Sequence, residues 1–373
     1  MKFNPALEQI VAYEPGAPLE LVMRRYGLFE VVKLASNEFP LPPFDEVKAV
    51  IAASLDVLNR YPDGHCTDLR EALAAHYGRG PEEIVVGNGS CEILLLLGAA
   101  LLEPEDEVVY PAPSFSLYPT ICRLHGAREV PVPLRDLTVD LSAMAAAITP
   151  RTKILIVCNP NNPTGSYAPV AALAELLDQV PEDVLVVFDE AYNEFVTRED
   201  WQASVALQRE RPNVLILRTF SKIYGLCGLR VGYGLAPSIL KTAIDKVRQP
   251  FNVNRLAQVA AVEALKHQDQ VLARRARNAE LRDYLRRSLA ALDRPTVPSE
   301  ANFILVSIEG LRRPQEEICE MLMALGAIVR DGNALGCPGW ARVSVGTREE
   351  IDFFLERLAS LKPDAACCGR EEG

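Results

Sequence analysis

Residues 213–232 read NVLILRTFSKIYGLCGLRVG and join an apolar run to a short polar turn. The run at 214–217 is aliphatic and is typical of a buried strand. Lys222 follows in the turn, so its amine lies at the mouth of the predicted strand. An amine beside a low-dielectric core and a nearby cation loses its proton more easily, which suits Schiff-base chemistry.

Phosphate-binding side chains surround this lysine in the sequence. Thr219 and Ser221 carry hydroxyl donors, and Arg230, eight residues beyond Lys222, carries a fork of N–H donors. Hydroxyl and guanidinium groups of this kind donate hydrogen bonds to a phosphate dianion. Taken alone, the stretch is more typical of a surface lysine after a buried strand, so the other motifs must decide.

The composition is that of a globular protein with an acidic surface. The 373 residues are 49% hydrophobic and carry a formal net charge of −11, which argues against nucleic acid as a partner. The nine cysteines lack metal-ligand spacing, which predicts reduced thiols and no metal. The longest apolar run, residues 93–102, is half a membrane span, and no signal peptide is recognised, so we expect a cytoplasmic protein without a membrane partner.

Apolar strands alternate with helices through the first two thirds of the chain. This order predicts an α/β fold with a mainly parallel sheet covered on both faces. The ligand site of such a sheet lies at the carboxyl ends of its strands. The main predicted strands are 107–110, 129–132, 154–158, 184–189, 214–217 and 231–235.

The pattern changes after residue 249 to long amphipathic helices followed by three strands, which predicts a smaller α/β unit. Arginine-rich residues 274–277 and 282–287 lie in one of these helices and are interpreted as its solvated face. The predicted division is an N-terminal arm with part of the small domain at 1–30, a large domain at 31–247, a small domain at 248–363 and a disordered tail at 364–373.

Three further motifs follow predicted strands. The turn GNGS at 87–90 opens an apolar helix, and a helix N-terminus behind a strand binds anions, although the same residues also form ordinary turns. NNPTG occupies 161–165 and DEAY occupies 189–192. Asp189 ends a run of buried aliphatics, where a carboxylate needs a cation such as a protonated ring nitrogen.

The remaining side chains at these strand ends complete a ligand. Tyr192 and Asn162 could reach a phenolic oxygen, Phe115 could stack on a flat ring, and Lys222 could hold an aldehyde, while Ser90 joins the phosphate donors. A ring nitrogen, a phenolic oxygen, an aldehyde and a phosphate together describe pyridoxal 5′-phosphate.

The order and position of these motifs resemble the fold-type I pyridoxal-phosphate aminotransferases. Within that group the chain is most similar to the histidinol-phosphate aminotransferase family, from residue 13 to about residue 350. The resemblance implies a large domain with a seven-stranded, mainly parallel sheet and a smaller α/β domain. It is carried by the segments AYEPG, KLASNE, RYPD, NNPTG, DEAYNEF, RTFSKIYGLCGLR, RQPFNVN and RVSVGTREE.

The resemblance also implies residue roles. Lys222 would form the covalent link to the cofactor and then move a proton as the catalytic base, and catalytic Asp189 would hold the ring nitrogen. Asn162 and catalytic Tyr192 would contact the phenolic oxygen. Tyr61 would reach the cofactor phosphate of a partner subunit, which implies a homodimer with shared active sites. The residues implied to serve the cofactor phosphate within one chain are Ser90, Cys91, Thr219, Ser221 and Arg230.

Such an enzyme must admit two acidic small molecules. Glutamate carries two carboxylates and histidinol phosphate carries a phosphate, so two arginines are expected in one pocket. The resemblance assigns these to Arg342 and Arg330, with Tyr13 and Asn162 also lining the substrate pocket. Either arginine could instead belong to a structural ion pair.

The predicted reaction is histidinol phosphate plus 2-oxoglutarate giving imidazole-acetol phosphate and glutamate, as in histidine biosynthesis. Three alternatives share most of the motifs: an aromatic amino acid aminotransferase, a threonine-phosphate decarboxylase and a non-catalytic module that binds the cofactor. The last would need a basic DNA-binding extension, for which residues 1–30 have neither length nor charge. The segment NEFPLPPF, together with Cys91 and Cys227, departs from the expected family pattern.

Overall fold

The computed structural model describes residues 1–12, 16–311 and 315–361. The strands are β1 (Val32–Lys33), β2 (Ile84–Gly87), β3 (Glu107–Ala112), β4 (Arg128–Pro133), β5 (Thr152–Cys158), β6 (Leu185–Asp189), β7 (Val214–Thr219), β8 (Gly232–Leu235), β9 (Phe303–Ser307), β10 (Ala327–Ile328), β11 (Arg330–Asp331) and β12 (Trp340–Ser344). The helices are α1 (Leu19–Tyr26), α2 (Asp45–Ala53), α3 (Thr67–Tyr77), α4 (Ser90–Leu101), α5 (Leu117–His125), α6 (Leu141–Ala146), α7 (Val170–Leu177), α8 (Ser204–Glu210), α9 (Ser238–Val247), α10 (Arg255–Leu265), α11 (Gln268–Ala291), α12 (Gln315–Ala324) and α13 (Arg348–Ser360).

A seven-stranded sheet forms the centre of the larger part of the molecule, in the order β2-β8-β7-β6-β5-β3-β4. Strands β4, β3, β5, β6 and β7 are parallel, and β8 runs antiparallel between β7 and β2. Alternate residues of β5 face two different hydrophobic clusters: Leu155 and Val157 join one, and Ile154 and Ile156 join the other. Both faces are therefore buried, as the unbroken apolar run of this strand predicts. The predicted α/β architecture is confirmed.

A second hydrophobic core surrounds the small sheet β11-β12-β9. It includes Leu285 and Leu289 of α11 and Phe354 of α13, whose start is fixed by a capping box between Thr347 and Glu350. β1, which lies within the stretch assigned to the large domain, pairs with β10. The predicted domain boundaries themselves stay a prediction.

Two details of the sequence interpretation are wrong. One of the three strands that the sequence predicts after the long helices, at residues 328–330, is divided between β10 and β11, which belong to different sheets. Arg274 does not lie on a solvated face: it is 8% exposed and sits over the Phe44 ring at 4.1 Å. Its guanidinium donates to the carbonyl of Ile223 at 2.8 Å, so α11 uses this arginine to hold the chain that follows Lys222.

Among the described residues, no helix combines the length and the apolarity that crossing a membrane requires.

Candidate active site

The carboxyl ends of three adjacent parallel strands bring the predicted motifs together. Cys158, the last residue of β5, is the register partner of Asp189, the last residue of β6. β7 lies on the other side of β6 and ends at Thr219, three residues before Lys222. The topology therefore gathers one edge of the sheet into one site, as expected for parallel strands.

Lys222 lies half-buried at this edge. Its Nζ donates to the carbonyl oxygen of Asn37 at 3.2 Å and to that of Ser36 at 3.5 Å, and it lies 5.5 Å from the centre of the Tyr192 ring. Burial, with the guanidinium of Arg342 as a second cause, lowers the pKa of Lys222 to about 8. Roughly a fifth of this amine is therefore neutral at pH 7.4, far more than for an ordinary lysine, and the neutral form can act as a nucleophile or base.

Asp189 is 3% exposed and receives its hydrogen bonds from uncharged donors. The Tyr118 hydroxyl donates to Oδ2 at 2.8 Å, and the Ala191 amide donates to Oδ1 at 3.3 Å. Burial raises the pKa of Asp189 to about 6, although both hydrogen bonds act to lower it. A buried carboxyl whose donors carry no charge is a site where a cationic ligand atom would be stabilised.

Tyr192 is buried between the two sheets. Its ring meets Phe303 of β9 edge-on, with 5.0 Å between ring centroids, and its hydroxyl accepts a hydrogen bond from the Asn37 Nδ2 at 3.0 Å. Burial raises its pKa above the ordinary tyrosine value, so the hydroxyl stays protonated and can donate.

Arginine, hydroxyl and glycine residues form a turn rich in hydrogen-bond donors next to Lys222. Arg230 Nη1 donates to Ser221 Oγ at 3.2 Å, and the Ser221 amide donates to Thr219 Oγ1 at 3.1 Å. A Cβ on Gly89, which has a φ of +82°, would lie 2.6 Å from Arg230 Nη2, and a Cβ on Gly232 would lie 2.4 Å from the Ser90 nitrogen. Glycine at 89 therefore lets the guanidinium approach the N-terminus of α4 closely, and glycine at 232 lets the start of β8 do the same.

Asn162 and Arg342 are in direct contact. Arg342 Nη1 donates to Asn162 Oδ1 at 2.5 Å, and Nη2 donates to the carbonyl of Ala35 at 2.8 Å. Arg330 is the register partner of Arg342 across the antiparallel pair β11 and β12. The two arginines proposed for substrate anions are thus on neighbouring strands of the small sheet.

The other predicted site residues are placed less centrally. Phe115 packs edge-on against Tyr118 with 5.8 Å between ring centroids, and Cys91 is half-buried with a pKa that burial raises. Tyr61 is 78% exposed and stacks on Phe251 at 4.6 Å. Tyr13 lies outside the described residues.

Two residues that contact the predicted groups were not singled out from the sequence. Asn37 lies in the quoted segment KLASNE, which carried resemblance but no role, and it contacts both Lys222 and Tyr192. Tyr118 holds Asp189 from α5. Tyr118 lies in the first turn of α5, and Phe115, two residues before that helix, packs edge-on against it, so the aromatic residues that follow β3 were an available signal.

A buried ion pair lies beneath the site. Arg218 of β7 donates through Nη2 to Glu190 at 2.7 Å, and both side chains are 2% exposed. Arg218 Nη1 also donates to the Tyr77 hydroxyl at 3.0 Å. This pair ties the residue that follows Asp189 to the residue that precedes Thr219, so it joins the two strand ends that carry the site.

We expect Arg218→Gln to destabilise the protein by roughly 3–5 kcal/mol, because it leaves the carboxylate of Glu190 buried without a cation. Arg211→Gln is the matched control: its pair with Asp178 is exposed on the surface and contributes about 0–1 kcal/mol. The comparison is the urea denaturation midpoint of the two variants. Equal midpoints would contradict a special role for the buried pair.

Fold and site together define a class of enzyme. The family model described as aminotransferase class I and II matches residues 30–358, and the chain belongs to this family. The chain is 47% identical over 362 residues to the histidinol-phosphate aminotransferase of Moorella thermoacetica, covering 96% of this chain and 93% of the relative. It is 44% identical to that of Brevibacillus brevis, covering 94% and 95%. These relatives place the chain among the histidinol-phosphate aminotransferases of the family.

Solved structures agree on the fold. The crystal structure of histidinol-phosphate aminotransferase from Sinorhizobium meliloti in complex with pyridoxal-5′-phosphate matches with a TM-score of 0.88 and 28% identity, covering 96% of this chain and 97% of that one. An aspartate aminotransferase from Thermus thermophilus with maleate matches with a TM-score of 0.83 and 27% identity, covering 97% and 100%. The resemblance inferred from the motifs is confirmed, and so is the fold class.

Proposed function

We propose that the chain is a pyridoxal 5′-phosphate-dependent aminotransferase of histidine biosynthesis. It converts histidinol phosphate and 2-oxoglutarate to imidazole-acetol phosphate and glutamate. The observation that carries this proposal is the arrangement at one sheet edge of an amine with a lowered pKa, a buried carboxyl with a raised pKa and an arginine-containing anion turn. The relatives with 47% and 44% identity support the choice of substrate.

The residues fit this cofactor in three respects. The buried carboxyl of Asp189 suits a protonated ring nitrogen, and the amine of Lys222 suits the aldehyde carbon, to which it would bind covalently. The turn around Arg230, where glycine is required for close approach, suits the phosphate together with Ser90, Cys91, Thr219 and Ser221. Phe115 would stack on the ring, and Asn162 and Tyr192 would contact the phenolic oxygen.

The protein residues supply acid–base chemistry and charge. When bound, pyridoxal phosphate supplies an electron-accepting ring that amino acid side chains lack. Lys222 Nζ, whose lowered pKa of about 8 makes its neutral form accessible, takes the proton from the substrate carbon that bears the nitrogen. Asp189 provides the negative charge that keeps the ring nitrogen protonated, and Tyr192 keeps its own proton for donation. Arg342 and Arg330 bind the acidic groups of the two substrates, and Tyr13 lines the pocket.

The decisive experiment for the substrate is the ratio of kcat/KM for histidinol phosphate to that for phenylalanine, each with 2-oxoglutarate. We expect a ratio well above one. A ratio near or below one would assign the chain to aromatic amino acid transamination. Release of CO₂ from threonine phosphate without amino transfer would indicate the decarboxylase. A yellow protein whose visible absorbance does not change when glutamate is added would indicate the non-catalytic module.

The proposal includes a cytoplasmic homodimer. Tyr61 and Phe251 stack on each other while remaining 78% and 44% exposed, and exposed aromatic pairs of this kind are enriched where subunits meet. A second subunit covering them would bring Tyr61 to the phosphate of its partner. Seven cysteines of the described residues are free thiols, in keeping with a reducing compartment. Sedimentation equilibrium should give twice the chain mass, and cell fractionation tests the compartment.

A further inference from the structure

Asn37 is held by the small sheet and reaches into the site of the large one. The preceding backbone is bonded to β10 and to β12 of the small sheet: the Leu34 amide donates to the Ile328 carbonyl, and the Ser344 amide donates to the Leu34 carbonyl, both at 2.8 Å. The Asn37 amide then donates to Ser344 Oγ at 2.9 Å. At 1% exposure, its side chain spans from this anchor to the hydroxyl of Tyr192.

The contacts with Ser344 determine which end of the Asn37 side chain faces Tyr192. The oxygen of the Ser344 hydroxyl accepts from the Asn37 backbone amide, and the same hydroxyl donates to Asn37 Oδ1 at 3.3 Å. The carbonyl end of the side-chain amide therefore faces Ser344, and the NH₂ end faces Tyr192 at 3.0 Å.

An amide NH₂ can only donate, so the Tyr192 oxygen must be the acceptor in this contact. The hydroxyl proton of Tyr192 is consequently directed away from Asn37. The backbone of Asn37 also contacts the second key group, because its carbonyl accepts from Lys222 Nζ at 3.2 Å and from Asn302 Nδ2 at 3.0 Å. One residue thus touches the phenol and the amine of the site at the same time.

We propose that Asn37 is a positioning residue that sets the direction in which Tyr192 donates its hydroxyl proton. The inference rests on the proposed function, in which that proton is given to the phenolic oxygen of the cofactor. It also explains why residue 37 has a φ of +54°, a backbone conformation that asparagine tolerates better than most residues. This backbone conformation allows the Asn37 side chain to form hydrogen bonds with Ser344 and Tyr192 at the same time.

Besides the hydrogen bond from Asn37, four ionisable groups lie close enough to Tyr192 to influence its hydroxyl electrostatically. They are the guanidinium of Arg342, the carboxyl of Asp189, the thiol of Cys158 and the amine of Lys222, which lies 5.5 Å from the ring centre. All of them are retained when Asn37 is substituted, so their electrostatic effects are common to every variant compared below.

The test is a double-mutant cycle between Asn37→Asp and Tyr192→Phe. The carboxylate in place of the amide accepts instead of donating, so it draws the hydroxyl proton of Tyr192 toward itself. The readout is the pH midpoint of the visible absorbance change of the cofactor-loaded protein. We expect the shift caused by Asn37→Asp to be about one pH unit larger with Tyr192 present than with phenylalanine there, a tenfold coupling. The cycle cancels the direct effect of the added charge.

A second variant covers the case in which Asn37→Asp does not fold. Asn37→Gly keeps the left-handed backbone and the carbonyl that receives Lys222, but it removes the side-chain donor. We expect a coupling of the same kind and about half the size. Equal midpoint shifts in the two backgrounds, for whichever of the two Asn37 variants folds, would overturn the proposal and leave Asn37 a structural residue.

Further readouts separate this proposal from the proposed function. The dissociation constant for pyridoxal 5′-phosphate, from fluorescence quenching, needs no substrate, and we expect Asn37→Asp to weaken binding by about tenfold. In turnover, kcat should fall more than KM rises. A wild-type protein that shows the midpoint coupling but does not use histidinol phosphate would overturn the assigned substrate and support the role of Asn37. A wild-type protein that binds no pyridoxal 5′-phosphate would overturn both.

Discussion

The Lys222→Ala protein should lose amino transfer by roughly 10³-fold or more while it keeps its fold. The substitution removes the amine that takes the proton from the substrate, and general base catalysis alone contributes about 10²–10⁴-fold. It also removes the atom that would bind the cofactor covalently. After incubation with pyridoxal 5′-phosphate and reduction by borohydride, mass spectrometry should find the added mass on the peptide with residue 222 in the wild type and not in the variant.

The matched control is Lys246→Ala, which removes an exposed lysine of α9. This variant should retain wild-type activity and the label on the peptide with residue 222. Turnover by Lys222→Ala at a rate close to that of the wild type would overturn the mechanism, because no other residue has been assigned the role of its amine.

Asp189→Asn should change stability and cofactor binding in opposite directions. Burial raises the pKa of the folded carboxyl from 3.8 to about 6, so the folded state binds this proton more tightly than the unfolded state does. Stability of the cofactor-free protein therefore falls as the pH rises from about 4 to about 6, by up to about 3 kcal/mol, and stays lower above that pH. The neutral amide avoids this fall, so the cofactor-free variant should be more stable than the wild type at pH 8.

Cofactor binding and activity should decline in the same variant. An amide cannot balance a positive ring nitrogen, and removing one partner of a buried ion pair costs roughly 3–5 kcal/mol, equivalent to a loss of about 10²–10⁴-fold. Urea midpoints of the cofactor-free protein between pH 5 and pH 8, together with the dissociation constant for pyridoxal 5′-phosphate, measure the two effects. Asp183→Asn, an exposed aspartate, should change neither. A cofactor-free variant that is less stable than the wild type at pH 8 would contradict the assigned burial cost.

The central groups of the candidate site could be predicted because each lies next to a strand end along the chain. Asp189 ends a run of aliphatic residues, and Lys222 follows another, so local patterns were enough to place both at one edge of a parallel sheet. The pairing of β8 between β2 and β7 was not predictable in this way. Strand order depends on which strand edges meet as the chain folds. A run of apolar residues does not indicate which other strand it will pair with.

Contacts between distant segments account for the rest. Asn37 precedes Tyr192 by 155 residues, and Arg342 follows Asn162 by 180, so neither pair produces a local pattern. The burial of Arg274 was hidden for a different reason. Arg277, Arg286 and Arg287 of the same helix are exposed, as the helical spacing predicts. Arg274 differs from them because it contacts the rings of Phe39 and Phe44 and the carbonyl of Ile223, which all come from other segments.

The register of β11 with β12 bears on the proposal that one pocket accommodates two acidic substrates. Arg330 and Arg342 are direct partners in an antiparallel ladder, so their side chains start from the same face about 5 Å apart. Hydrogen bonds fix that separation, and no loop movement can widen it. The side chains have several rotatable bonds, and for Arg342 a change of rotamer requires release of its hydrogen bonds to Asn162 and Ala35. If the two arginines bind the substrate anions as proposed, the fixed backbone register means that the pocket adapts to each substrate through arginine rotamers.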